Sequence, residues 1–133
     1  MVASARWHTA GRPVVYLAEN PSSALLEMLV HLEVDEDHRP DNYQLLKVKT
    51  DDSVSSQEMS FGDLPQDWNT SEQITQSIGD AWLVESASAL LRIPSAIAPE
   101  TWNWMLNPRH PEANKMKIVA KGRDPYDWRL FRN

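Results

Sequence analysis

Residues 11–32 read GRPVVYLAENPSSALLEMLVHL, and this stretch indicates the fold class to expect. Four β-favouring residues follow a glycine and a proline, which predicts a short buried strand from Pro13 to Ala18. Asn20 is a favoured N-cap residue and Pro21 suits the first helical position, so we expect a helix from about Pro21 to Leu32. A strand followed directly by a helix indicates a domain that mixes both kinds of element.

The predicted helix is apolar around most of its circumference, at roughly 100° per residue. Its apolar members are Ala24, Leu25, Leu26, Met28, Leu29, Val30 and Leu32. The remaining stripe is formed by Ser23, Glu27 and His31. That stripe either faces bulk solvent or lines a crevice, and its narrowness favours the crevice. A carboxylate in such a place is costly unless a partner stabilises it, so Glu27 is the first candidate functional residue.

Outward from this stretch, the chain alternates loops with short elements. Residues 33–42 form an acidic loop with a proline, and residues 43–49 predict a second strand. The pattern between residues 50 and 69 is weak. Thr70 and Gln73 resemble a capping box and predict a helix from about Thr70, with an apolar stripe of Ile74, Ile78, Ala81 and Trp82.

The C-terminal half supplies several further short elements. Residues 89–93 resemble a strand that stops at Pro94, and residues 102–111 predict a short ordered segment ending in a rigid turn. Late strands are predicted at 115–120 and 128–131. Together these elements predict an α+β fold, one domain with short mixed strands and flanking helices.

Composition limits the classes of function. A chain of 133 residues and 15.2 kDa with 41% hydrophobic residues has room for one core, so we expect a single domain over residues 1–133. A formal charge of -6 and a pI near 5.1 argue against direct nucleic-acid binding. There is no cysteine, which excludes disulfides and thiolate chemistry. We see no leader and no long apolar run, and expect a soluble cytoplasmic protein without membrane contact.

Arg6 and Tyr16 could share a cleft with Glu27. The three would provide a cation for phosphate or carboxylate, a ring for stacking, and an anion for a developing positive charge. That set suits a nucleotide whose glycosidic bond breaks. Each residue also has a simpler interpretation, since Arg6 could be a surface charge and Tyr16 a core aromatic.

Other polar and aromatic residues are weaker candidates. Ser95 follows Pro94 at a strand end, where serine is ordinarily a turn or cap residue, and no G-x-S-x-G motif surrounds it. Trp7, Trp102 and Trp104 lie close in sequence to other candidates, so we expect them to form cleft walls.

Neither a metal site nor a glycosidase site is well supported by the sequence. The four histidines (His8, His31, His38 and His110) lack H-x-x-x-H spacing, and the acidic loop lacks the glycine of an EF-hand, so we expect no metal. Glu19 and Glu27 could form a glycosidase-like pair of carboxylates, but nothing in the sequence fixes their separation.

Five segments in order resemble the RES domain family, which is named for an arginine, a glutamate and a serine. They are R-W-x-x-x-G-x-P-V-V-Y-L-A-E from residue 6, P-x-x-A-L-L-E-x-L-V-H-L from 21, G-D-x-W-L from 79, L-R-I-P-S-A from 91 and W-N-x-x-L-N-P-x-H-P from 102. The resemblance implies a fold like the ADP-ribosyltransferases and a toxin of a bacterial toxin–antitoxin pair. Its partner would be an Xre-type helix-turn-helix antitoxin. Its substrate would be NAD, with no tightly bound cofactor.

The resemblance also implies which residues form the site. The family's arginine falls on Arg6, its tyrosine on Tyr16, its glutamate on Glu27 and its serine on Ser95. Arg6 would hold the pyrophosphate, Tyr16 would contact the nicotinamide, Glu27 would stabilise positive charge on the ribose, and Ser95 would hydrogen-bond the substrate. Trp7 would be a further NAD contact.

Two functions remain open at this stage. The chain is either an enzyme that cleaves the nicotinamide–ribose bond of NAD, with water, phosphate or a protein as acceptor, or a catalytically weakened module that mainly binds its antitoxin. Family members usually have a strand before the arginine, and only residues 1–5 precede it here, so we expect that strand to be missing.

Overall fold

The computed structural model describes residues 7–9, 11–30, 42–59, 62, 64–98 and 100–125. Their strands and helices, in order, are β1 (Val15–Ala18), α1 (Pro21–Val30), β2 (Asn42–Lys49), β3 (Ser56–Glu58), α2 (Glu72–Glu85), β4 (Leu90–Pro94), β5 (Trp102–Leu106) and β6 (Lys117–Pro125). Short 3-10 turns cover Trp68–Thr70 and Pro111–Lys115. The α+β prediction is confirmed. Some predictions lie outside the described residues. They concern Arg6, residues 1–5, the loop at 33–41 and the strand at 128–131.

The strands form two sheets. The larger has the order β1-β5-β4-β3, with β5 antiparallel to β1 and β4, and with β3 parallel to β4. The smaller is an antiparallel ribbon of β2 and β6. The sheets are therefore mixed, as predicted. Strand β3 lies in the stretch whose sequence pattern is weak. The sequence gives little signal for it because it has only three residues and depends on β4 for its hydrogen bonds.

The two faces of the larger sheet pack against different clusters, because successive side chains on a strand point to opposite sides. One face presents Leu91, Ile93 and Met105 to the main core, which also contains Trp7, Leu64, Trp68, Trp82 and Leu83. The other face presents Leu90, Leu17, Trp104 and Leu106 to a smaller cluster around Val54. Met105 and Ile93 are 0% and 2% exposed, which places the middle of β4 and β5 at the centre of the domain.

Residues 7–9 dock on α2. A Cβ atom at Gly79 would lie 1.5 Å from the carbonyl oxygen of Trp7, so only glycine permits this approach. The amide and hydroxyl of Thr9 donate to the carboxylate of Asp80 over 2.9 and 2.7 Å. Trp82 and Leu83 then enter the core. The segment G-D-x-W-L is thus explained by the docking of the N-terminal segment on this helix.

The local sequence signals predicted the start of α1 correctly and the start of α2 incorrectly. The backbone amide of Ser23 donates to Oδ1 of Asn20 over 2.8 Å, so the predicted N-cap of α1 is confirmed. The predicted capping box at Thr70 is wrong, because α2 begins at Glu72 after an N-cap at Ser71. The hydroxyl of Thr70 instead donates to the carbonyl of Asp67 over 2.8 Å, within the turn that buries Trp68.

The buried stripe of α2 also differs from the predicted one. Trp82 is buried and Ile78 packs against the main core, as predicted, but Thr75, Gly79 and Leu83 are buried as well and Ala81 is exposed. The backbone of Trp7 lies against Gly79, so part of this buried face is covered by backbone packing that an apolar pattern does not predict. Among the described residues, neither helix is long and apolar enough to cross a membrane.

Candidate active site

The carboxylate of Glu27 is held by two side chains from the sheet. Its Oε1 atom accepts a hydrogen bond from the hydroxyl of Ser95 over 2.8 Å and another from Nδ2 of Asn103 over 2.8 Å. Glu27 is half-buried on α1. The crevice interpretation of the helix's polar stripe therefore describes Glu27 better than the solvent-facing one.

Ser95 connects this carboxylate to the backbone. It directly follows β4, and its Oγ accepts from the amides of Ile97 and Ala98, each over 3.1 Å. A serine hydroxyl has one proton, and here that proton points to Glu27. Ser95 thus helps to hold the carboxylate. Its expected hydrogen bond to a substrate stays a prediction.

Asn103 is the site residue that the sequence analysis missed. It lies on β5 between Trp102 and Trp104, so its side chain points to the opposite side of the sheet from both rings. Its Nδ2 donates to Glu27, while its Oδ1 is buried and has no hydrogen-bond partner among the residues that the structure describes. The available signal was a polar residue at the strand position that shares a face with the fully buried Met105.

Tyr16 lies on the same face, one diagonal position from Asn103, because β1 pairs Tyr16 with Met105. Its hydroxyl and Nδ1 of His8 are 2.6 Å apart. Burial of this hydroxyl raises the pKa of Tyr16 well above its usual value; the negative charge of Asp80 adds to the rise, and a backbone hydrogen bond with Trp7 opposes it. The residue as a whole is 40% exposed, so the hydroxyl is buried while part of the ring remains open for stacking.

The three tryptophans predicted as cleft walls lie elsewhere in the structure. Trp7 is 3% exposed and packs in the main core, with its ring centre 5.9 Å from that of Trp68. Trp102 and Trp104 belong to the opposite face of the sheet from Glu27, so the prediction that they line its cleft is wrong. The guanidinium of Arg92 lies 4.4 Å from the ring centre of Trp102. Trp104 packs on the second cluster, which its proximity in sequence to other candidates did not reveal.

Glu19 and Glu27 have separate partners. Glu19 forms a salt bridge with Arg92 at 3.2 Å, and Arg92 also pairs with Glu58. The glycosidase-like pairing of Glu19 with Glu27 therefore has no support in this geometry. Within the part of the chain that the structure describes, no group of three or more histidines and carboxylates could hold a metal ion.

A cleft of about 310 Å³ borders Ser95. Its wall includes Trp68, Asn69, Ala96, Ile97, Glu100 and Thr101. Glu100 has a positive φ of 59°, a conformation that is uncommon for residues other than glycine and that often occurs at functional sites. The volume is at the lower end for small-molecule sites, so this cleft suits one ring system rather than a whole dinucleotide.

These features define a class of site. A carboxylate is fixed by two hydrogen bonds, one of them from Ser95, which borders a small cleft, and the partly exposed Tyr16 lies on the same face of the sheet as Asn103. Such a carboxylate can stabilise positive charge that develops on a bound ligand. Serine and asparagine donors keep it in place without neutralising it, because neither carries a charge.

The comparisons with known proteins agree with the sequence motifs. The RES domain family matches residues 2–130, so the chain belongs to the RES domain family. A protein of Pseudomonas putida named Toxin Res is 43% identical over 128 residues, which is 96% of this chain and 86% of that protein. The Prs ADP-ribosylating toxin of a Sphingobium species is 33% identical, over 98% of this chain and 83% of that protein. A Toxin Res of Photorhabdus laumondii is 38% identical, over 90% of this chain and 76% of that protein.

Proposed function

We propose that this chain is the toxin of a toxin–antitoxin pair and that it consumes NAD by cleaving the bond between nicotinamide and ribose. The observation that carries the proposal is the fixed carboxylate of Glu27, held by Ser95 and Asn103 beside a cleft. The names of the similar toxins, one of them ADP-ribosylating, support the same chemistry. The cleft wall of Trp68, Ala96 and Ile97 suits a flat aromatic ring such as nicotinamide.

The reaction breaks one bond and forms another at the same carbon. The bond between ribose C1′ and the nicotinamide nitrogen breaks, and its electron pair leaves with nicotinamide, which becomes neutral. Positive charge develops on the ribose ring, and the carboxylate of Glu27 stabilises it. An oxygen of the acceptor then bonds to C1′ and loses its proton. With water as acceptor, the products are nicotinamide, ADP-ribose and a proton.

Other residues of the site bind the substrate in this proposal. Tyr16 offers the open part of its ring to the nicotinamide end, since its hydroxyl is already paired with His8. Arg6 holds the pyrophosphate through its planar, forked guanidinium, a role that rests on the family resemblance. Thr9 and Asp80 anchor the segment that directly follows Arg6.

The test is incubation of the purified chain with NAD, with and without phosphate, followed by mass spectrometry of small molecules and protein. We expect release of nicotinamide. ADP-ribose identifies water as acceptor, phosphorylated ADP-ribose identifies phosphate, and a protein mass increase identifies ADP-ribosylation. Glu27→Gln keeps the shape and removes the charge, so turnover should fall by about 100-fold or more.

The matched control is Glu85→Gln, an exposed carboxylate at the end of α2. Its turnover should equal that of the parent protein. Equal turnover in Glu27→Gln would contradict the role of the carboxylate. Binding of NAD without release of nicotinamide would instead support the alternative, a weakened module that mainly binds its antitoxin.

A further inference from the structure

We propose that Asn103 is a positioning residue, which fixes the carboxylate of Glu27 for the reaction and does so at the expense of its own hydrogen bonding. The inference rests on the proposed function and adds a residue to it. Two observations carry it: the hydrogen bond to Glu27, which also fixes the orientation of the amide, and the buried amide oxygen, which has no partner in the described part of the chain.

The orientation of the amide is set by the carboxylate. An asparagine side chain has one donor end and one acceptor end of nearly the same shape. Only the donor end, Nδ2, can bond to an ionised carboxylate, and it lies 2.8 Å from Oε1 of Glu27. The reverse orientation would place two oxygens in contact. Asn103 therefore responds to the charge of Glu27, as well as to its position.

The unpartnered oxygen shows that stability alone does not explain this residue. A buried acceptor without a donor destabilises the folded state, because it lost its bonds to water on folding. An apolar residue at position 103 would avoid that cost. A side chain that weakens the fold while it holds a functional carboxylate is what a positioning role predicts.

The second donor, Ser95, fixes the same oxygen from another direction. Ser95 approaches Oε1 from the end of β4, whereas Asn103 approaches it from β5. Two donors on adjacent strands restrict the carboxylate far more than one donor does.

The experiment compares Asn103→Ala with Asn107→Ala. Asn107 is also buried, but both ends of its amide are paired, with Ser86 and with the amide of Arg109, away from Glu27. For Asn103→Ala we expect kcat for NAD to fall roughly 10- to 100-fold, as for other residues that orient a reacting group, with little change in KM. Tm should stay close to that of the parent.

The control should show the opposite pattern. Asn107→Ala should lower Tm, because it leaves buried groups without partners, and should keep the kcat and KM of the folded fraction. Asn103→Val, with a β-branched side chain suited to a strand, repeats the test if the alanine variant folds poorly.

The outcomes separate the two proposals. A parent protein that consumes no NAD would overturn the proposed function and this inference with it. An active parent, together with Asn103 variants of unchanged kcat, would overturn this inference alone. A fall in Tm with an unchanged kcat of the folded fraction would give Asn103 the structural role of Asn107 and would likewise overturn it.

Discussion

At the scale of single residues, the site depends on a short chain of hydrogen bonds. The amides of Ile97 and Ala98 donate to Ser95, which donates to Glu27. Hydrogen bonds in series polarise one another, so the two backbone amides make the serine hydroxyl a stronger donor. Fixed backbone groups thus contribute to stabilising the carboxylate.

Tyr16 provides a test of burial at this scale. Below about pH 10 the phenol is protonated in both the folded and the unfolded chain. Above that pH the unfolded chain ionises first, because burial raises the pKa of Tyr16 in the folded protein. Folding stability should therefore fall as pH rises above about 10.

The variant Tyr16→Phe removes this effect. At neutral pH it should be less stable by about 1 kcal/mol, because the hydrogen bond to His8 is lost. Its Tm should then decrease less steeply above pH 10 than the Tm of the parent. The measurement is thermal unfolding between pH 7 and pH 11. Parallel slopes for the two proteins would show that the hydroxyl is not buried in solution.

The site residues differ in how far sequence could predict them. The helical pattern predicted that Glu27 needs a partner, since it is one carboxylate in an otherwise apolar helix, and the structure shows two hydrogen-bond donors to it. Ser95 was predicted as a site residue only through the family resemblance, because its own surroundings indicate a turn. Asn103 was missed, since its contact with Glu27 depends on the packing of α1 on β5, which are 76 residues apart at this point. Local patterns carry no information on such a pairing.

At the scale of elements, the docking of residues 7–9 on α2 is the feature most sensitive to sequence. Gly79→Ala would place a methyl group 1.5 Å from the backbone oxygen of Trp7, which is not a flexible group. We expect a loss of about 3 kcal/mol or more in the free energy of unfolding. Tm should fall by roughly 10 °C or more.

Gly122→Ala is the matched control for that prediction. A Cβ atom at Gly122 would meet nothing within 4 Å, and alanine is the less flexible residue in the unfolded chain. Its Tm should be unchanged or slightly higher. If Gly79→Ala unfolded at the same temperature as Gly122→Ala, the close approach of the N-terminal segment to α2 would be wrong.

The elements were predictable where their signals are local. The strand β1 and the helix α1 follow from side chains within a few residues of their ends, such as the capping bond of Asn20 to Ser23. The start of α2 was misplaced because Thr70 belongs to a turn that buries Trp68, a tertiary effect. β3 was missed because it forms by pairing with β4, whose residues come about 34 positions later in the chain.

At the scale of the whole molecule, net charge indicates which member of the proposed pair contacts DNA. The chain carries a formal charge of -6, which disfavours contact with a phosphate backbone. DNA contact in the proposed pair would therefore belong to the helix-turn-helix antitoxin. In the proposed pair, the toxin's part of the complex would be an interface that controls access of NAD to Glu27.

An apolar rim beside the site fits such an interface. Tyr16 and Leu26 are 40% and 39% exposed, which is high for large apolar side chains, and Leu26 is the neighbour of Glu27 on α1. Exposed apolar groups next to a reactive cleft are typical of surfaces that another protein covers. We therefore expect the antitoxin to inhibit by covering this rim, and expression of the toxin alone to lower cellular NAD and stop growth.

The variant Leu26→Lys tests this mode of inhibition. Lysine is a good helix former, and neighbouring side chains on a helix do not face each other, so turnover of NAD by the free protein should stay near that of the parent. A charge buried at the interface should weaken inhibition by the antitoxin by about 10-fold or more. Val84→Lys is the control, because Val84 is 62% exposed on α2, away from Glu27, and should leave inhibition unchanged.

Nicotinamide release is measured while antitoxin is titrated into each protein. Full turnover by the parent complex would show that the antitoxin acts without blocking the site, whereas equal inhibition of all three proteins would place the interface elsewhere.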